Sequence, residues 1–173
     1  NELLVQVHAA GVNPIDNMIP TGLFKAVVKF RLPATLGSDL AGVVTEVGSQ
    51  VTRFKPGDAV FASTFEQGTG SIAEFAVVPE SAAALKPANL DFVQAASIPM
   101  VGLTSWQALK ERVDLRAGQK VFIPAGSGGI GTFAIQLAKW LGAKVGTTTS
   151  TGNVELVRSL GADEVVDYKK QEF

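Results

Sequence analysis

The chain has 173 residues, 46% hydrophobic and 18% charged, enough for one ordinary domain or two small ones with a real core. Its 15 basic and 16 acidic residues are interspersed and leave a formal net charge of −1, so there is no basic field to hold a nucleic acid. No apolar run approaches the roughly 18 residues needed to span a bilayer, and the first residues lack a signal pattern, so no membrane partner is expected.

Cysteine is absent and His8 is the only imidazole. Disulfides and thiol chemistry are therefore excluded, and a zinc site would have to be built almost wholly from carboxylates, which suit zinc poorly. No metal is expected, and a reducing, cytoplasmic compartment fits. His8 lies in an alternating stretch with no second ligand candidate, which points to a structural or surface role.

The chain opens on a strand-like stretch, Leu3 to Val7, without a starting Met, and stops at Phe173 just after another strand. It reads as a piece of a longer protein. As far as about residue 90, short apolar runs alternate with Gly, Pro and Asp: Gly42 to Gly48, Phe54 to Phe61, Ile72 to Val78. Such spacing predicts short antiparallel strands in a barrel-like or sandwich-like unit, with Pro56-Gly57-Asp58 as a turn. Beyond it the period lengthens. Asp91 is placed to cap a short helix that Pro99 ends or bends, and 101–112 reads as a second helix.

Next come a turn at Leu115 to Gly118, a strand Lys120 to Ile123, a glycine-rich loop, and a helix over about 130–141. A strand from Lys144 to Thr148, a helix over about 153–160 and a strand from Glu164 to Tyr168 complete a βαβαβ order. That order predicts a parallel α/β sheet, with Gly142 and Gly161 as helix C-caps. Trp106 and Trp140 fall on helical faces and are expected to anchor the core. The division expected is a β-rich unit over 1–90 and an α/β unit over 91–173.

The strongest motif runs from Ala125 to Gly131, where Gly126, Gly128 and Gly131 satisfy G-x-G-x-x-G and Ser127, Gly129 and Ile130 fill the gaps. It follows a strand, opens a helix and precedes a second strand, the context a dinucleotide fingerprint requires. The glycines permit a tight turn, approach of a pyrophosphate and close helix–strand packing, while the helix N-terminus offers free N–H groups. A glycine-rich turn that merely joins strand to helix is the alternative. At the end of the second strand, an NAD site wants an acid for the ribose 2′-OH. Here stand Thr147, Thr148, Thr149, Ser150, Thr151 and Asn153, with no carboxylate before Glu155. Hydroxyls and an amide can donate to a 2′-phosphate that a carboxylate would repel, which favours NADP; a polar helix cap at Ser150 or Thr151 is the alternative.

Asn13-Pro14-Ile15-Asp16, Leu36 to Gly42, Phe54 to Asp58, Gly102-Leu103-Thr104 and Ala125 to Gly131 together resemble, in order, the signatures of zinc-free medium-chain dehydrogenase/reductases, in particular quinone oxidoreductase and zeta-crystallin-like members. Zinc alcohol dehydrogenases of that superfamily place a Cys near Asn13 and a Gly-His-Glu where this chain has Gly37-Ser38-Asp39. The resemblance implies a GroES-like β-barrel domain followed by the first βαβαβ half of a Rossmann fold, with nicotinamide in the cleft between them. It also implies a small-molecule quinone or α,β-unsaturated carbonyl substrate, NADPH as hydride source, and a homodimeric full-length form about twice as long. The piece alone is then expected to bind cofactor poorly and turn over nothing.

By position in the resemblance, Asn13 and Asp16 would line the nicotinamide side, Thr104 would contact the cofactor near the nicotinamide ribose, and Thr149, Asn153 and Tyr168 would lie near the 2′-phosphate. Met18 stands where many relatives have Tyr, and Asn153 where several have Lys. From residue chemistry alone, Asn13 is also a turn former, Asp16 a backbone cap, Thr104 a cap at a helix start, and Tyr168 a packing residue. The reaction asks little of side chains, because the cofactor carries it and the protein orients the reactants and supplies donors to the carbonyl oxygen. An enoyl-thioester or alkenal reductase, or an NADP-binding relative without turnover, fits the same residues.

Overall fold

The computed structural model describes residues 1–23, 33–68 and 70–172. The chain divides into two compact units, Asn1–Met100 and Val101–Phe173.

In the first unit, strands β1 (Glu2–Gly11), β2 (Asp39–Val47), β3 (Ala59–Ser63), β4 (Phe75–Pro79) and β5 (Ala83–Leu85) form one antiparallel sheet in the order β4-β1-β2-β3-β5. Alternation decides which face is covered. Leu3 and Val5 of β1, Leu40 and Val44 of β2, Val60 of β3 and Val78 of β4 are buried in a common core. Burying each contributes roughly 1.5–3 kcal/mol against exposure. β1 shifts register against β2 between Leu4 and Val5 and between Val7 and Ala9, irregularities that bend the long strand. The expected turn at Pro56-Gly57-Asp58 is closed by the Asp58 N–H donating to the Lys55 carbonyl at 3.2 Å. A short helix, α1 (Pro14–Met18), follows β1.

Asp91 caps α2 (Phe92–Ala96) as expected: its carboxylate accepts from the Gln94 N–H at 2.7 Å and the Gln94 side chain accepts from the Asp91 N–H at 3.0 Å. The alanines Ala95 and Ala96 of α2 let it pack closely on Ala41 of β2. Residues 91–100 therefore belong to the first compact unit, ten residues past a division at 90. His8 stacks on Phe92 with ring centroids 4.4 Å apart, a packing role.

α2 ends at Ala96, and Pro99 opens the next helix, α3 (Pro99–Trp106), where its missing N–H costs nothing. The helix expected over 101–112 is completed by a π-helical turn, Gln107–Arg112. In the second unit, β6 (Lys120–Ile123), β7 (Lys144–Thr149) and β8 (Glu164–Asp167) form a parallel sheet in that order. They are joined by α4 (Gly129–Trp140) and α5 (Val154–Ser159). Gly142 and Gly161 have φ of 81° and 108°, the left-handed caps expected after the two helices.

α4 buries Gly131, Ala134, Ile135 and Ala138, a stripe at helical spacing, against Ile123, Val145 and Val157. The tryptophans are not core anchors. Trp140 is 76% exposed because it lies off that stripe, two residues past Ala138, and Trp106 is 41% exposed. No helix among the described residues is long and apolar enough to cross a membrane.

Candidate functional site

The second unit carries the glycine loop between β6 and α4. The Ala125 backbone has φ 54°, in the left-handed region that a side chain disfavours. Hydrogen bonds hold it there: the Ala125 N–H donates to Thr148 Oγ1 and the Gly126 N–H to the Thr148 carbonyl, each at 2.9 Å. The Gly128 N–H closes back on the Ala125 carbonyl at 2.9 Å. Two of the glycines are sterically required. A Cβ on Gly126 would lie 2.1 Å from Thr147 Oγ1, and one on Gly131 would lie 2.4 Å from the Ala125 carbonyl oxygen. At Gly128 the nearest atom to a Cβ is that same oxygen, 3.3 Å away, so one side of the loop is left open for a ligand group.

Gly128 is the N-cap of α4 and has no side chain to cap it, so the first-turn N–H groups of Gly129, Ile130 and Gly131 have no intrahelical acceptor. Ile130 is itself 48% exposed. This is an anion cradle of the kind helix N-termini provide, and it fits a dinucleotide pyrophosphate.

A hydroxyl and amide cluster lies beside it. Ser127 Oγ accepts from Thr149 Oγ1 at 2.8 Å and from Asn153 Nδ2 at 3.3 Å, and Asn153 Nδ2 also reaches Ser150 Oγ at 3.4 Å. The Tyr168 N–H donates to the Thr149 carbonyl at 3.2 Å, and its ring is 47% exposed with Lys169 Nζ 5.6 Å from the centroid. Ser127, Thr149, Ser150, Asn153 and Tyr168 are thus brought together by the ends of β7 and β8. Asp167 adjoins them and has no counterpart among the expected site residues. Its Oδ2 accepts from Thr151 Oγ1 at 2.7 Å and its Oδ1 from the Lys169 N–H at 3.1 Å, so its charge is already engaged. Thr104 sits in the interior of α3 rather than at its start, so it caps nothing, while its neighbour Ser105 donates to the Val101 carbonyl at 2.7 Å.

The first unit holds a second polar cluster, built on α1 and the start of β2. Asp16 is 2% exposed, Ser38 fully buried and Asp39 1% exposed. Asp16 Oδ2 accepts from the Asn13 N–H at 2.8 Å and Oδ1 from Ser38 Oγ at 2.7 Å, so both oxygens are held. Asn13 Nδ2 donates to Asp39 Oδ2 at 2.9 Å. Gly11 leaves room for this, since a Cβ there would meet the Ala96 carbonyl oxygen at 2.7 Å and Asp39 Cβ at 3.0 Å. Burial pushes the Asp39 carboxyl up to about 6; the Asn13 hydrogen bond and the nearby Met100 N–H oppose the rise, and the Asp16 charge adds to it. Asp39 Oδ1 has no hydrogen-bond partner among the described residues, although the Met100 N–H lies near enough to the carboxylate to oppose the rise. Met18 ends α1 and is 39% exposed.

In the sequence Asn13 and Asp16 stand within an Asn-Pro-x-Asp motif, whereas Ser38 and Asp39 stand where zinc enzymes carry His and Glu. The signal for them is a Ser-Asp pair at the start of an otherwise apolar strand, where burial demands partners.

An antiparallel β unit followed by a strand, glycine loop, helix and parallel strands defines an α/β protein of the two-domain dehydrogenase class. Residues 1–88 match the alcohol dehydrogenase GroES-like domain, and residues 129–173 match the zinc-binding dehydrogenase domain. The chain belongs to the alcohol dehydrogenase family that this GroES-like domain defines, on the branch of medium-chain reductases.

It is 41% identical over its whole length to 2-methylene-furan-3-one reductase of Solanum lycopersicum, of which it covers 46%. It is 43% identical, over 99% of the chain and 46% of the relative, to the chloroplastic NADPH-dependent alkenal/one oxidoreductase of Arabidopsis thaliana. Among solved structures it resembles Escherichia coli quinone oxidoreductase complexed with NADPH, with a TM-score of 0.85 and 32% identity over 99% of this chain and 52% of that one. The chain spans about half the length of the curated relatives it matches.

Proposed function

We propose that the protein is an NADPH-dependent oxidoreductase that transfers a hydride to a quinone or an α,β-unsaturated carbonyl without a metal. The observation that carries this reading is the glycine loop with its neighbouring Ser127–Thr149–Asn153 cluster, an anion cradle next to donors suited to a phosphate. When bound, NADPH supplies the hydride. The loop N–H groups of Gly129, Ile130 and Gly131 would hold the pyrophosphate. Ser127, Thr149, Ser150 and Asn153 would donate to the 2′-phosphate, with Tyr168 beside them. Thr104 carries a hydroxyl with no hydrogen bond among the described residues and is assigned to the nicotinamide ribose.

In the first unit, Asn13 is assigned to the reacting end of the cofactor and substrate. Asp16, with both oxygens engaged, holds the Asn13 backbone rather than moving a proton. Metal independence is supported by residue chemistry: with no Cys and one His, which stacks on Phe92, the chain has no zinc-type donor set. The relatives' names support both enone and quinone acceptors. The alkenal/one oxidoreductase favours an alkenal or enoyl reductase as the second reading. A cytoplasmic setting is part of this proposal, with an organelle interior the alternative raised by the chloroplastic relative.

The test is NADPH consumption by the protein at its natural full length, with a quinone, a short alkenone and an enoyl thioester as acceptors. Turnover with quinone or alkenone supports the reading; turnover with the thioester alone supports the second. NADPH binding without consumption by any acceptor would make the protein a non-catalytic relative.

A further inference from the structure

The donor cluster beside the glycine loop has no charge of its own. Ser127, Thr149, Ser150 and Asn153 offer hydroxyls and an amide, whereas a 2′-phosphate carries about two negative charges at neutral pH. In a parallel sheet the ligand side lies at the carboxyl ends of the strands. Among the described residues of the second unit, Lys169 and Lys170 are the cations that directly follow such an end, while Lys120 and Lys144 begin β6 and β7 at the opposite edge. The two differ in what they meet. Lys170 Nζ stands 3.9 Å from Asp167 Oδ2, so it answers a carboxylate that would otherwise repel an anion. Lys169 forms no ion pair among the described residues, and its Nζ lies over the half-exposed Tyr168 ring, 5.6 Å from the centroid. Its backbone is fixed to the site. The Lys169 N–H donates to Asp167 Oδ1 at 3.1 Å, and the Tyr168 N–H donates to the carbonyl of Thr149, whose Oγ1 donates to Ser127 Oγ.

We propose that Lys169 is a specificity-determining residue: its ammonium pairs with the 2′-phosphate of NADPH at the Ser127–Thr149–Asn153 cluster and so favours NADPH over NADH. The proposal rests on the NADPH reading above. The Tyr168 ring supports the lysine and holds its ammonium at the carboxyl end of β8. Asp167 ties the two sides of the site together. Its Oδ1 holds the turn that carries Lys169, and its Oδ2 accepts at 2.7 Å from Thr151 Oγ1, in the turn that carries Ser150 and Asn153. One buried carboxylate thus sets the hydroxyl side and the cationic side alike. NADH presents a neutral 2′-hydroxyl there, with no charge for Lys169 to meet.

The test is binding of NADPH and of NADH to the protein at its natural full length, compared with Lys169→Gln, Lys169→Arg and Lys144→Gln. The last removes the same charge at the other end of β7. Lys169→Gln is expected to weaken NADPH binding roughly tenfold and to leave NADH binding unchanged. It should also flatten the fall of NADPH affinity with added salt. Lys169→Arg keeps the charge and should keep the preference, and Lys144→Gln should bind both cofactors as the wild type does. An unchanged NADPH affinity in Lys169→Gln would overturn the proposal, and so would an equal loss for both cofactors or a loss matched by Lys144→Gln. In each of those cases a wild-type preference for NADPH leaves the functional reading standing. A wild type that binds neither cofactor, or NADH as tightly, removes that reading and the proposal with it.

Discussion

Thr149 Oγ1 donates to Ser127 Oγ across 2.8 Å, tying the end of β7 to the glycine loop. Thr149 ends the second strand of the βαβ unit, the position at which NAD-specific sites carry an acid, and Ser127 Oγ and Asn153 Nδ2 lie beside it. Each can turn its donor toward a phosphate.

Replacing Ser127 with Ala removes the acceptor shared by Thr149 and Asn153. At about 1 kcal/mol for a hydrogen bond, NADPH affinity is expected to fall roughly fivefold to tenfold. NADH affinity should hardly change. Parallel titrations of the variant measure the difference, and an equal loss for both cofactors would contradict it.

Gly126→Ala puts a Cβ 2.1 Å from Thr147 Oγ1, itself fully buried and donating to the Ile123 carbonyl. The expected cost is about 1–3 kcal/mol of stability, read from urea unfolding. Gly152→Ala, with nothing within 4 Å of its Cβ, serves as the control and should unfold near the wild-type midpoint.

Asp39 gives a pH dependence whose sign is fixed by its raised value. Between the ordinary 3.8 and about 6 the folded protein holds the proton that the unfolded chain releases. Its contribution is therefore fully present below 3.8 and lost as pH rises through about 6. The loss is on the order of 1–3 kcal/mol. Asp39→Asn should flatten that decline in urea midpoints measured across the window; an unchanged slope would contradict it.

Asp163 has the opposite sign. The Val145 N–H and the Lys139 ammonium hold its carboxyl below the usual range. Its stabilisation is present above the ordinary carboxylate value and lost as pH falls through the lowered one. Asp163→Asn is expected to melt below wild type at neutral pH, with the gap closing in acid. A gap independent of pH would show that its charge is not what matters.

Much of the second unit was legible because βαβ periodicity, glycine spacing and strand ends are local properties. β6 runs over Lys120–Ile123 and α4 over Gly129–Trp140, within a residue or so of expectation. What was not legible depends on contacts between distant residues. The tryptophans looked like core by size, but the faces of their helices are set by what packs opposite. Helix α2 joined the first unit because Ala95 and Ala96 fit Ala41, a match that no spacing rule reveals. Asp39 enters the sequence reading only within the Leu36–Gly42 signature, and its burial beside Asn13 and Asp16 appears only once β2 lies against β1 and α1. Asp167 belongs to no motif, and its contacts with Thr151 and the Lys169 N–H arise only once β8 lies beside β7.

The most direct measurement of the central claim is a fluorescence titration with NADPH and NADH side by side, on the protein at its natural full length with its intact mass checked. The account predicts saturable binding of both, with NADPH clearly tighter. Equal or tighter binding of NADH, or no binding of either, would contradict it.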